Sequence, residues 1–226
     1  MRRLLLLLVI VLPQPLKQVL YRRVFGWKIG RRVHLGLSYL EADVVIIGDD
    51  VRIGHFNIFK GIKRLEIGSR TYIANLNHFF GAEAPYEDWE GHLSLGERVN
   101  FMSRHFVDIG GTVRIGDGCT IGGRDTQIWS HTLRLSDDEY TLVPAHVFIG
   151  SHVYLGARVT VVCCDIPAGT LVGAGSVVAK TFSAEACRLL LAGNPASVIK
   201  RYPPSQSGTC VEAVGAIPDL VEGGAG

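Results

Sequence analysis

Acidic residues are absent from the first 40 positions of this 226-residue chain, which hold eight Lys or Arg, while the remaining 186 carry fifteen basic and twenty-one acidic residues. Charge is therefore segregated. That argues against nucleic acid as a partner of the body and suits an anionic membrane surface at the front. Cysteine is sparse: the five (119, 163, 164, 187, 210) form no CxxC pair. An odd count with a vicinal pair does not make a disulfide framework and favours a reducing compartment. Cys119 and Cys163 are expected in the core as small apolar residues. A long apolar run is also lacking. Residues 4–12 are uninterrupted but stop at Pro13-Gln14-Pro15, where a spanning helix needs about 20, and no small-residue cleavage site is present.

Beyond Pro15 the chain turns amphipathic. Leu16, Val19, Leu20, Val24 and Trp27 fall at helical spacing among Lys17, Arg22, Arg23 and Lys28. Residues 1–28 read as a basic apolar helical segment. It is either an in-plane membrane anchor, a cap over the open end of a repeat domain, or both.

The repeat begins at Ile29 and is clearest in the middle of the chain. Ile115-Gly-Asp-Gly-Cys-Thr and Ile121-Gly-Gly-Arg-Asp-Thr are two copies of a six-residue unit, after which Gln127-Ile-Trp-Ser-His131 departs from the period. The unit recurs at Ile47, Ile53, Ile67, Ile73, Leu95, Ile149, Leu155 and Val172. Three such edges make one triangular coil of a parallel β-helix, at about eighteen residues per coil, with the aliphatic residue inside. The Gly after it suits a corner of positive φ or close backbone approach. The slot four residues on also points inward; it holds Val51, Thr71, Val99, Cys119, Val153, Val159 and Ser176.

Two steps between coils are too long, from Ile67 to Leu95 and from Ile115 to Ile149, so loops leave the prism within 80–92 and 129–146. Loops on a rigid scaffold commonly carry function. The β-helix domain spans 29–182. A short helix capped by Ser183 and running to about Leu191 is predicted, within a closing segment 183–202, and a disordered tail 203–226.

One interior column is polar. Counting ten residues from each coil's first aliphatic residue gives Asn57, Asn77, His105 and Asp125. Buried polar groups need partners. The column is either a hydrogen-bonded ladder or, through a buried His105–Asp125 pair, part of an acceptor site.

These residues resemble the hexapeptide-repeat acyltransferases, an all-β family with a left-handed parallel β-helix, here with an N-terminal helical segment and a short C-terminal helix. The likeness rests on the repeats, on Val153-Tyr-Leu-Gly-Ala157 with Val172-Gly-Ala-Gly-Ser-Val-Val, and on Ala192-Gly-Asn-Pro-Ala-Ser-Val-Ile-Lys200. It covers about residues 29–202 and points to the sugar and xenobiotic O-acetyltransferase branch.

The resemblance implies a homotrimer with acetyl-coenzyme A between adjacent prisms and no metal. It implies His131 as catalytic base, Asn100 and Asp108 contacting the acceptor sugar, and a backbone N–H near Gly156-Ala157 holding the oxyanion. Gly156, Ala157 and Ala174 would let the pantetheine arm lie flat, and Lys180, Lys200 and Arg201 would meet the nucleotide phosphates. A histidine, with an ordinary pKa of about 6.5, suits proton removal from an alcohol near neutral pH. Departures are Tyr154 where the family has Trp, a different loop after His131, and the basic N-terminal segment in place of the family's acceptor-binding region.

The implied activity is O-acetylation of a sugar or lipid-linked saccharide for a surface polysaccharide, in the cytoplasm at the inner membrane face. The rivals are a xenobiotic acetyltransferase, a γ-carbonic-anhydrase-like metalloenzyme using His146 and His152, and a non-catalytic trimeric scaffold.

Overall fold

The computed structural model describes residues 2–83, 86, 89–136, 139–183 and 188–203. From Lys28 onward the backbone winds into a left-handed parallel β-helix of triangular section. The first flank stacks the front half of Ile58–Ile67 with His78–Gly81, Phe106–Ile109, Gln127–Trp129, Thr160–Val162 and Val177–Val178. The second stacks the back half of Ile58–Ile67 with His92–Leu95, Thr112–Ile115, His146–Ile149 and Asp165–Ile166. The third is a nine-stranded sheet from His34–Leu35 through Asn100–Phe101 and Tyr154–Leu155 to Leu189–Gly193 and Ala196–Arg201.

The six-residue period produces this section. The aliphatic positions Ile53, Ile67, Ile73, Leu95, Ile115, Ile121, Ile149 and Leu155 are buried, as are all seven of the small slots four residues on. Where the prism is wider, aromatic rings fill it: Phe59 stacks on Phe79 at 4.3 Å between centroids, and Phe79 meets Phe101 at 5.1 Å. Each such pair adds about 1 kcal/mol beyond burial.

Of the two reasons offered for the glycine after each aliphatic residue, close approach is the one that operates. A Cβ on Gly116 would lie 2.6 Å from the Ser151 nitrogen. Positive φ instead falls two residues later, where Asp50, Arg70, Arg98 and His152 occupy it at +60°, +61°, +54° and +58°. Their amides donate across coils, for example Arg70 N–H to Asp49 O at 2.8 Å, which offsets the strain of a left-handed side-chain-bearing residue.

The N-terminal segment forms two helices, α1 (Arg2–Val9) and α2 (Gln14–Arg23), broken at Pro13. The capping role is plain. Lys17 Nζ donates to Leu35 O and Gly36 O, both at 3.0 Å, Gln18 Nε2 to Val33 O at 2.7 Å, and Arg22 to Ile29 O and Gly30 O. Gln14 pairs with the Leu35 backbone in both directions. Apart from Gly36 O, which also accepts from Ser38 N–H at 2.9 Å, these are carbonyls of the first coil that face the open end of the ladder. Tyr21 stacks on Trp27 at 4.5 Å beneath them.

At the other end the predicted helix is not what forms over its last residues: Leu189–Gly193 is a strand, antiparallel to Ala196–Arg201. Leu189 and Leu191 point into the core, so a period of two governs here rather than the helical one. Residues 184–187 of that helix and 204–226 of the tail lie outside the described residues, as do Cys187 and Cys210.

Candidate active site

Both long excursions leave the prism at one edge, where the first flank turns into the second. The later one is an antiparallel hairpin, His131–Leu135 with Tyr140–Pro144, and His131 is its first residue. The residue before it is fixed tightly. Ser130 Oγ donates to Asp108 O at 2.8 Å and accepts from Gly111 N–H at 3.0 Å, and Ser130 N–H donates to Asp108 Oδ2 at 3.0 Å. Gly111 is obligatory: a Cβ there would run into Ala145 O.

Against this frame His131 Nδ1 lies 2.8 Å from Asp108 Oδ2. An ionised carboxylate only accepts, so Nδ1 carries the proton and Nε2 is left with its lone pair. Asp108 stands on the neighbouring coil, its side chain 14% exposed against 28% for His131. The pair is sheltered yet reachable. Two indoles flank the imidazole, Trp129 edge-on at 5.9 Å and Trp89 at 6.2 Å. Trp89 comes from the earlier excursion and covers Gly110, where a Cβ would meet its ring at 2.9 Å. Outward rings continue along the first flank: Trp129 meets Phe106 at 5.0 Å and Phe106 meets Phe80 at 5.9 Å.

Cys163 belongs to this edge, not to the core where it was expected. It sits one coil beyond His131 at φ +44°, half-buried, with Sγ 3.2 Å from His131 O. Cys164 takes the core place, its thiol pushed up to about 12 by burial. Cys119 is buried as predicted, and burial pushes it to about 12 as well.

Of the two readings of the polar column, the buried His105–Asp125 pair does not form. His105 is inside, while Asp125 is an exposed corner residue at φ +61° paired with Arg104 at 3.3 Å. Phe101 pairs with Ile121 but Phe106 with Gln127, so one extra residue lies between 121 and 127. The slip moves Thr126 into the column. Asn57 Nδ2 donates to Ser38 Oγ, Asn77 Nδ2 to Asn57 Oδ1, and Thr126 N–H to His105 Nδ1 at 3.1 Å. The column is a ladder, and His105 serves the interior rather than an acceptor.

Asn100 is exposed on the third flank, between Tyr72 and Thr120. Gly156, Ala157 and Ala174 lie at the edge where the third flank turns into the first, so closely stacked that a Cβ on Gly156 would lie 2.7 Å from the Ala174 nitrogen. One prism therefore keeps these residues and His131 on different edges. Gly156 N–H already donates to Val172 O at 2.9 Å, so it is not an oxyanion donor. Lys180 follows the strand Val177–Val178 on the His131 edge, its ammonium over the Phe182 ring. Lys200 and Arg201 end Ala196–Arg201, with Lys200 over Tyr202.

Of His146 and His152, the pair considered for zinc, the first opens the strand His146–Ile149 and the second lies at the corner beyond it, and among the described residues no three His, Cys, Asp or Glu side chains converge as a metal site would require. Missed by sequence reasoning were the role of Asp108 in holding His131 and the cover supplied by Trp89. A carboxylate one coil away from a loop histidine was the available signal for the first.

No protein-family model matches this sequence, and no curated protein matches it. Solved structures do. The polySia-specific acetyltransferase NeuO aligns over 81% of this chain and 87% of its own, at 19% identity and a TM-score of 0.55. A mutant of AntD, an N-acyltransferase from Bacillus cereus, in complex with dTDP and coenzyme A, aligns over 85% of this chain and 91% of its own, at 20% identity and a TM-score of 0.51. What is shared at this level is the fold.

Proposed function

We propose that the chain is an acetyl-coenzyme A dependent O-acetyltransferase that acts on a sugar hydroxyl with His131 as general base. The observation that carries this reading is the 2.8 Å contact of His131 Nδ1 with Asp108 Oδ2, on a fold shared with solved acyltransferases. His131 Nε2 takes the proton of the acceptor hydroxyl as its oxygen attacks the thioester carbonyl. Collapse of the tetrahedral intermediate breaks the C–S bond, and the proton on His131 goes to the departing thiolate. Asp108 keeps the ring in the required tautomer and steadies the imidazolium between the two steps. No protein nucleophile takes part. Asp108 is thus a positioning residue rather than a contact to the sugar.

The site is completed in a homotrimer. His131 with Lys180 occupies one edge of the prism, and Asn100, Gly156, Ala157 and Ala174 occupy the third flank and its far edge, so two adjoining prisms bring the groups together. Acetyl-coenzyme A lies in that groove, its pantetheine arm over the small residues and its phosphates toward Lys180, Lys200 and Arg201. Asn100 reaches the acceptor from the neighbouring copy. NeuO is named for polySia; the acceptor here is a saccharide on its way to a surface polysaccharide, met at the inner face of the cytoplasmic membrane.

Calorimetry with acetyl-coenzyme A on wild type and His131→Ala, together with thiol release against a panel of sugars, tests the reading. Equal binding by both proteins with release only in the wild type supports it. Absence of binding in the wild type, or undiminished release by His131→Ala, refutes it.

A further inference from the structure

We propose that the outer face of α1 and α2 is a lipid-docking surface that seats this chain on an anionic bilayer. This deepens the proposed location but uses no step of the transfer chemistry.

α1 turns Leu6 and Val9 into the body and leaves Leu4, Leu7, Leu8 and Val11 exposed at 65%, 53%, 58% and 73%. Leu16, Val19 and Val24 continue the exposure along α2 and its end. Single exposed leucines are ordinary; seven aliphatic side chains within one short segment are not. No helix among the described residues is long and apolar enough to cross a membrane. Short helices with one apolar face fit a segment that lies on a surface.

The helices do not need this face to hold them to the body. Arg2 Nη1 pairs with Asp43 Oδ1 at 3.0 Å and Arg3 Nε with Glu41 Oε1 at 2.7 Å, and the capping bonds of α2 hold the other side. The apolar face is presented ready-made on a fixed base.

Charge and chemistry select the occupant. Glu41, Asp43, Asp49 and Asp50 neutralise Arg3, Arg2, Arg31 and Arg32. Arg22, Arg23 and Lys28 are exposed at and just beyond the C-terminal end of α2, around the exposed Val24, and none of them is in an ion pair among the described residues, Arg22 donating to the Ile29 and Gly30 carbonyls. The exposed large hydrophobic side chains of this face are all aliphatic, without the Tyr and Trp that enrich protein interfaces. Aliphatic chains flanked by uncompensated cations match acyl chains beneath anionic headgroups.

Sedimentation of the full chain with sucrose-loaded vesicles tests this, using phosphatidylcholine alone and equal parts of phosphatidylcholine and phosphatidylglycerol. The wild type is expected to pellet with the anionic vesicles about ten-fold more strongly than with the neutral ones. The triple variant Leu4→Ser, Leu7→Ser, Leu8→Ser changes only exposed positions, so its melting temperature stays near wild type while binding to both vesicles falls about ten-fold or more. Arg23→Gln with Lys28→Gln removes only the preference for anionic vesicles. A wild type that stays in the supernatant, or a serine variant that pellets like the wild type, overturns the proposal. So does a serine variant of lower sedimenting mass than wild type in lipid-free buffer, which would make the face a contact between copies of this chain. Vesicle binding and acetyl-coenzyme A binding are separate readouts, so failure of this inference is distinguishable from failure of the transferase reading.

Discussion

The ring of Trp89 stands 6.2 Å, centroid to centroid, from that of His131. The two come from separate excursions of the chain, and they meet because both excursions leave the prism at the same edge. Trp89→Ala removes one wall of the site and admits water to the imidazole. We expect kcat/KM for acetyl transfer to fall about ten-fold, with binding of acetyl-coenzyme A unchanged by calorimetry.

His131→Ala should lower kcat by about 10³-fold, within the range for loss of a general base. Asp108→Asn keeps one oxygen for Ser130 N–H and loses the charge that holds His131. A smaller loss, about 10²-fold in kcat with little change in KM, is expected from steady-state kinetics. Equal activity of Asp108→Asn and wild type would remove Asp108 from the mechanism.

Burial pushes His105 down to about 4. An unfolded histidine takes its proton near pH 6.5, so between these values the unfolded chain binds a proton that the native one refuses. Stability is therefore full above about pH 6.5 and declines as pH falls toward 4, by on the order of 3 kcal/mol. Melting curves across this window should show the slope in wild type and a shallower one in His105→Asn.

Lys17→Met removes a buried ammonium from two carbonyls. Leu35 O then keeps Gln14 as a donor and Gly36 O keeps Ser38 N–H, so each loses only its charged donor. Loss of about 1–3 kcal/mol is expected in urea denaturation, with acetyl-coenzyme A binding intact below the transition.

Much of the prism was legible because a period of six admits few backbones, and His131 stood out because the chain breaks that period to place it. Asp125 was misread for the same reason. Counting from Ile115 lands on it, and nothing in Gly122-Gly123 announces that those residues absorb one extra position. The corners were hidden too. Positive φ is held by Arg, Asp, Phe and Leu side chains whose identities do not advertise it. The Asp108 partnership depends on which residues of successive coils come into register. The last strand was ambiguous because Leu189-Leu190-Leu191 satisfies either period.

The capping bonds of α2 and the antiparallel return of Ala196–Arg201 have a common effect at opposite poles of the prism. A parallel ladder with bare terminal strands is a template on which another copy could add, coil upon coil, into a fibre. Here the first coil presents side-chain amines and amides in place of free carbonyls, and the last ends against a strand of reversed direction. On the third flank axial addition of another copy is hindered at both poles, which leaves the sides of the prism as the surfaces through which copies of this chain can meet.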